Sequence, residues 1–195
     1  NADLAGLGLA LCIIDCGADH AALTNEYASI PEEMCKVAAH FGKKVLREVK
    51  EEELLADLAQ VRKEAGDRAV LRALHFYADD RRAAEEADAL ERKDKEAFLN
   101  LVKESGRSSW ELLQNITPAA AITHQDMAVA LTVAEKALNG KGACRVHGGG
   151  FAGTIQAFVE NDFVEEYKRR MDKVFGHGSC QVLKVRQKGG VKVLG

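Results

Sequence analysis

The stretch ACRVHGGGFAGTIQAFV, residues 143–159, decides how this chain is read. Its centre, Gly148-Gly149-Gly150-Phe151-Ala152-Gly153, spells G-x-G-x-x-G, the pattern of a dinucleotide-binding turn. That pattern needs a strand before it and a helix after it. Ala143 to Val146 supply a short apolar strand, but the residues after the glycines do not read as a helix. Thr154, Ile155, Phe158 and Val159 are β-branched or aromatic, and Ile155, Ala157 and Val159 alternate with Gln156 across two faces. A period of two is a strand. The stretch is therefore a hairpin whose loop is mostly bare backbone, and the dinucleotide reading fails on local context.

Another use of the glycines comes from their physics. Glycine reaches positive φ without steric cost and lets backbone come close to a ligand or to another segment. Successive N–H groups in such a loop form an anion-binding concavity. A two-residue hairpin turn needs one or two glycines, not four in six, and surplus glycine costs conformational entropy. A ligand-facing loop is favoured over a plain turn. It lacks the Lys-Ser/Thr ending of a Walker loop, so it can line a phosphate site whose charged parts lie elsewhere.

Composition bounds the rest. The 195 residues suit one domain, able to bury roughly 70% of the surface its unfolded chain exposes. Hydrophobic residues make up 47% and charged residues 29%, and the net charge of −3 comes from interspersed acids and bases, which argues against a nucleic-acid binder. No apolar run approaches the ~20 residues that span a bilayer. Leu7 to Ile14 is short and lacks a basic flank and a cleavage site. Of five scattered cysteines only Cys12 and Cys16 are close, and no second pair completes a zinc site. A reducing cytoplasm with free thiols is the expected setting. The histidines are scattered as well, and no metal site is expected.

Along the chain, 7–16 reads as a buried strand ended by Gly17. Pro31, with Glu32 and Glu33, predicts the first turn of a helix that runs to about Phe41 and stops at Gly42. Leu54, Leu55, Leu58 and Val61 predict one helix closed by Gly66. Asp67 opens a long helix through Leu90. Phe98, Leu101, Val102, Ser105, Leu112 and Leu113 predict another, weakened at Gly106 and the paired serines. Pro118 predicts the start of a helix to Leu138 with Ile122, Val129, Val133 and Ala137 inward. After the hairpin, Phe163, Val164, Tyr167, Met171 and Val174 share a helical face closed by Gly176, and two terminal strands surround Gly189-Gly190. The fold class is α+β, two-layer, with helices packed on one face of a small antiparallel sheet.

Few other residues suggest chemistry. Arg145 and His147 abut the loop; the favoured reading is strand residues facing solvent or packing beneath it. Asp15, Asp19 and His20 cluster after the first strand, where ligands collect in layered folds, although a polar loop is the simpler reading. Tyr27, in TNEY just before a helix, can hydrogen-bond a sugar hydroxyl or staple the helix start. His75 beside a core stripe reads as a structural histidine. No Ser-His-Asp order, HExxH or paired CxxC occurs.

RVHGGGFAGTIQAFV resembles the third motif of the galactokinases, R-M-T-G-G-G-F-G-G followed by a strand; these belong to the GHMP kinases. NEYASIPEEMCKVAAHFGKKVLREV is similar to the family's Glu-Tyr, charged helix and Leu-Arg-Glu-Val. LRALHFYADDRRAAEEADALERKDKEAFLNLVKESGRSS is similar to its Arg-Ala-x-His helix and the helix ending in Ser-His-x-Ser-Leu. The resemblance runs from about residue 7 to the end.

The resemblance implies that residues 1–195 are the C-terminal domain of a longer galactokinase-like kinase, in keeping with Asn1 at the start. The family's sugar signature, serine-rich phosphate loop and catalytic Asp lie earlier in its chains, in an N-terminal sugar- and ATP-binding domain not present here. It implies a sugar 1-kinase that moves the ATP γ-phosphoryl, with Mg²⁺, to galactose or a relative. Carried over, Gly148, Gly149, Gly150, Phe151 and Gly153 lie near the phosphate site and Tyr27 contacts the sugar. No catalytic residue and no metal ligand falls in this chain, which alone is expected to be inactive and to bind no cofactor. Its partners are then the N-terminal domain, sugar and ATP, with no nucleic acid or membrane. The alternatives are a non-catalytic sugar and ATP sensor, or another GHMP kinase acting on a small alcohol. The sequence departs from the family's pattern at Val146-His147 for Met-Thr, Ala152 for a glycine, Ile30 for an arginine and Gly106 for the histidine of Ser-His.

Overall fold

The computed structural model describes residues 4–17 and 23–185. Four strands form one antiparallel sheet: β1 (Leu9–Asp15), β2 (Gly142–Val146), β3 (Thr154–Glu160) and β4 (Cys180–Leu183), in the order β2-β3-β1-β4. The hairpin read from the sequence is β2-β3, in the register Val146 opposite Ile155 and Cys144 opposite Ala157. The second terminal strand expected beyond Gly189-Gly190, like Asp19 and His20, lies outside the described residues.

The alternation of β3 fixes the layering. Ile155, Ala157 and Val159 are fully buried, with Cys12, Ile14, Cys144, Val146 and Cys180 on the same face. Two helices cover that face: α6 (Asp126–Leu138) through Met127, Ala130, Leu131 and Ala134, and α7 (Val164–Phe175) through Val164, Tyr167 and Met171. Each large apolar side chain so buried contributes about 1.5–3 kcal/mol. Exposed ion pairs contribute about 0–1 kcal/mol, so burial dominates. Burial pushes the Cys16 and Cys144 thiols up to about 12, and they remain protonated thiols.

The α+β class and the small antiparallel sheet are as the sequence implies. The opposite face is not left bare, however. Leu9, Ala143 and Phe158 pack there with Phe98, Leu99 and Val102 of α5 (Lys95–Ser108) and with Ala89 of α4 (Asp67–Glu91). Gly106 explains how α5 comes so near. A Cβ at Gly106 would stand 3.1 Å from Arg145 Cβ and 3.2 Å from the Cys144 carbonyl oxygen. Gly106 does not break the helix, as its residue type suggested; it admits the β2 backbone. A second core, made of Val37, Ala38, Leu46, Leu54, Val61, Val70 and Ala73, joins α1 (Thr24–His40), α2 (Glu51–Ala56), α3 (Leu58–Ala65) and α4.

Three element boundaries differ from the sequence reading. α1 begins at Thr24, not near Pro31, and Pro31 lies inside it. Proline suits a first turn because it lacks an N–H, but helix packing can also carry the one missing bond in an interior turn. Tyr27 is thus within α1 rather than before it. The single helix read over 50–65 is two, broken at Asp57 (φ −114°, ψ 22°). Finally, α6 starts at Asp126, and Ile122 and Val129 are 85% and 51% exposed instead of inward. Residues 117–125 form turns, and the buried stripe begins at Met127.

Asp57 is also where the helical layer is tied together. His40, at the end of α1, meets Glu64 through Nδ1 (2.7 Å) and Asp57 through Nε2 (2.8 Å). Hydrogen bonds to Glu64, then to Asp57, hold the imidazole above its ordinary pKa. A raised folded pKa contributes stability that is fully present below the unfolded value of about 6.5 and is lost as pH rises through the folded value. Urea unfolding across this range should show His40→Gln less stable than wild type at pH 6, with the gap closing at high pH. At the sheet, Gly106→Val should lower stability by about 1–3 kcal/mol through overpacking. A neutral or stabilising effect in urea unfolding would show that α5 does not bear on β2.

Candidate functional site

The hairpin between β2 and β3 is built from backbone that side chains rarely adopt. Gly148, Gly150 and Gly153 have φ of 65°, 83° and 89°, and Phe151, with a side chain, has φ 61°. A non-glycine residue there costs roughly 1–2 kcal/mol, so Phe151 must be held by its surroundings. Its ring is buried and meets the ring of Tyr27 edge-on at 5.6 Å.

Three elements brace the loop from the protein side. Tyr27, in the first turn of α1, donates its hydroxyl to the Gly150 carbonyl at 2.9 Å. Asn115 donates Nδ2 to the Gly149 carbonyl at 3.1 Å, and its own carbonyl accepts from Phe151 N–H at 2.5 Å. At the end of β1, Cys16 N–H donates to the Gly153 carbonyl at 2.8 Å. Two glycines are required by this packing. A Cβ at Gly149 would stand 2.8 Å from Tyr27 Cε1, and one at Gly150 would fall on the Asn115 carbonyl. Gly148 differs: a Cβ there would meet nothing within 4 Å.

The tip, His147 to Gly149, is exposed. The amides of Gly148 and Gly149 donate to no group among the described residues. Such a pair of successive exposed amides suits an anionic oxygen. His147 bonds back to the hairpin through Thr154 Oγ1, 2.9 Å from Nδ1. Asp15 sits beside the stem, opposite Thr154, and its carboxylate accepts from Gly17 N–H.

Arg145 packs against α5, a placement that neither of its two sequence readings named. Its Nη1 donates to Ser105 Oγ at 2.5 Å, and Ser105 Oγ donates to Asp79 at 2.6 Å. His75 is buried, with Nδ1 2.8 Å from Ser108 Oγ, and burial holds its pKa below the ordinary value. It is a buried, hydrogen-bonded histidine, as the sequence reading favoured.

Two residues that sequence reasoning passed over bear on the loop. Arg72 is fully buried and donates Nε to the Leu113 carbonyl (3.1 Å) and Nη1 to Ser29 and Glu33 (both 2.9 Å). Burial works against the Glu33 charge, but Arg68 and Arg72 outweigh it and hold its carboxyl below the usual range. Arg72 thereby joins α1, which carries Tyr27, to the segment that carries Asn115. The second residue is Asn115 itself, brought in by a π-helical turn (Ser109–Leu113) and by Gln114 in the left-handed conformation (φ 55°, ψ 46°). Its side chain acts across a sequence gap of 34 residues, and no local pattern marks it.

Gly150→Val should therefore unfold at lower urea concentration than wild type, and by more than Gly148→Ala, because only Gly150 presses on protein. Equal stability of Gly150→Val and wild type would contradict the packing of Asn115 on this glycine.

No protein-family model matches the chain. It is 32% identical over 186 residues to the galactokinase of Homo sapiens, covering 95% of this chain and 44% of that protein. To the galactokinase of Glaesserella parasuis serovar 5 (strain SH0165) it is 29% identical over 162 residues, 83% of this chain and 40% of that protein. The solved structure of Lactococcus lactis galactokinase complexed with galactose superposes with a TM-score of 0.65 at 22% identity, over 90% of this chain and 45% of that chain. The chain spans less than half the length of these relatives. In sequence and in fold it is galactokinase-like, corresponding to a portion of a galactokinase.

Proposed function

We propose that this chain is the C-terminal part of a cytoplasmic sugar 1-kinase that transfers the ATP γ-phosphoryl to the anomeric hydroxyl of galactose or a close relative. The observation that carries the reading is the glycine hairpin, braced by Tyr27 and Asn115, with the amides of the exposed Gly148 and Gly149 donating to no group among the described residues. Phosphoryl transfer depends on positioning and on stabilising charge over the phosphoryl oxygens. Rigid neutral N–H donors beside those oxygens serve both needs and require no reorganisation during the reaction.

Within this reading, Gly148, Gly149, Gly150, Phe151 and Gly153 form the wall next to the nucleotide, and Tyr27 reaches the sugar. The Tyr27 hydroxyl donates to the Gly150 carbonyl, which ties the residue matched to the family's sugar contact directly to the hairpin. Residues 147–153 include no carboxylate, so the hairpin is unsuited to ligate Mg²⁺. The ion and the nucleotide charge would be met by the remainder of the parent protein.

Two departures from the family's pattern lie away from the hairpin: Gly106 packs on β2, and Ile30 lines a cleft with Met34, His75 and Phe76.

In the parent protein, Tyr27→Phe should raise KM for the sugar several-fold, as expected for one hydrogen bond of about 0.5–1.5 kcal/mol. A smaller fall in kcat should accompany it through the lost Gly150 contact. Absence of sugar phosphorylation by the wild-type parent would refute the kinase reading, and an unchanged sugar KM would refute the role of Tyr27. The 195-residue chain alone should show no saturable binding of magnesium-ATP at micromolar nucleotide in calorimetric titration, with or without galactose. Saturable binding would mean that this chain carries a complete nucleotide site.

A further inference from the structure

We propose that Asn115 is the positioning residue of the glycine hairpin, fixing the plane of the Gly149–Gly150 peptide and with it the Gly150 N–H, next in line after the Gly148 and Gly149 amides, as a donor to the nucleotide phosphates; the ligand side of this inference rests on the kinase reading above. Asn115 is 2% exposed and engages the loop on both sides of Gly150. Its Nδ2 takes the Gly149 carbonyl, and its backbone carbonyl takes the Phe151 N–H.

A trans peptide points its carbonyl and its N–H in opposite directions. With the Gly149 carbonyl turned onto Asn115, the Gly150 N–H on the same peptide is turned away from it. The next peptide is pinned in the same manner, its Gly150 carbonyl on Tyr27 and its Phe151 N–H on Asn115. Both residues flanking the first peptide are glycines, so neither side chain resists a flip of that plane. Among the described residues, the Asn115 amide alone bonds to this peptide and selects one orientation.

The amide of Asn115 is satisfied on one side only. Its Oδ1 is buried with no hydrogen-bond partner among the described residues, an arrangement that costs free energy. An apolar side chain would fill the space without that penalty. The one bond the side chain makes is the donation to Gly149. The Gly149 carbonyl can only accept, so the amide orientation is set. Arg72, through the Leu113 carbonyl, and the left-handed Gln114 hold the segment in place.

Asn115→Asp keeps the shape and replaces the donor by a carboxylate facing a carbonyl. The 195-residue chain carries the first test, read by amide hydrogen exchange at Phe151, whose N–H is held by the Asn115 carbonyl. Near pH 7.5, Asn115→Asp should exchange at least 10-fold faster than wild type at this amide. As pH falls the buried carboxyl should take up its proton, since burial disfavours the charged form, and the neutral acid can donate to Gly149. Relative to wild type at the same pH, the excess exchange should then shrink. Asn115→Ala should show the faster exchange with no such recovery, and serves also if the Asp variant does not fold at high pH. Wild-type exchange in Asn115→Asp at pH 7.5, or a loss that is the same at all pH values, would overturn the proposal, because a space-filling residue predicts both. In the parent protein the same variant should raise KM for ATP several-fold more than KM for the sugar, again with recovery at low pH. Exchange results as expected with no kinase activity in the wild-type parent would sink the kinase reading and leave the positioning role standing.

Discussion

The Gly149–Gly150–Phe151 backbone is pressed between a phenol and an amide, and the surrounding architecture answers to the need to hold it there. Tyr27 reaches Gly150 from α1, and Asn115 reaches Gly149 and Phe151 from the segment after α5. Each contact requires a missing side chain on the loop, since a Cβ at either glycine would collide with its brace. Each also requires its own helix to be fixed. Arg72 does this for both at once, linking Ser29 and Glu33 of α1 to the Leu113 carbonyl. A fully buried guanidinium is a costly way to join helices, because charge is expensive to desolvate. Its five donors in a rigid fork let one side chain span three elements.

The sheet plays the complementary part of a rigid floor. The hairpin stem is the pair β2-β3, and β1 lies against β3 with Cys16 N–H on the Gly153 carbonyl. On one face α6 and α7 bury the alternating residues of β3. On the other, α5 lies close on β2 because Gly106 has no side chain. Arg145 is fastened from the same side through Ser105 to Asp79. The loop therefore stands on a stem clamped from both faces, while a side chain at Gly148, in its tip, would meet no atom of the described residues within 4 Å. Four glycines in six residues thus divide their roles: Gly149 and Gly150 admit the protein, Gly153 offers its carbonyl to the Cys16 N–H, and Gly148 is exposed.

Much was legible before any coordinates. The two-residue period of 154–159 excluded a helix after the glycines, and β3 buries the side that the period named. Gly17, Gly42, Gly66 and Gly176 mark chain reversals or helix ends at positive φ. The apolar stripe of α7 was readable at Val164, Tyr167 and Met171. Pattern reading failed where local chemistry allows two outcomes. Pro31 fits a first turn and also survives inside α1. Ile122 and Val129 have helical spacing with the later apolar residues but stand exposed. Periodicity shows that residues share a face, not which face is covered.

The sequence by itself determined that this chain contains a glycine hairpin on a small sheet, because alternation and glycine density are local properties that survive without tertiary contacts. The GGGFAG pattern also carried the likeness to galactokinases. Only the tertiary structure decided what each glycine is for. Gly106 looks like a helix breaker and is a point of close approach, and Asn115 carries no signal in its neighbours yet holds the loop. The physical reason is the same for both. A glycine's role is set by what stands where its side chain would be, and a hydrogen-bond donor's role by the acceptor it meets. In this fold both come from residues far away along the chain.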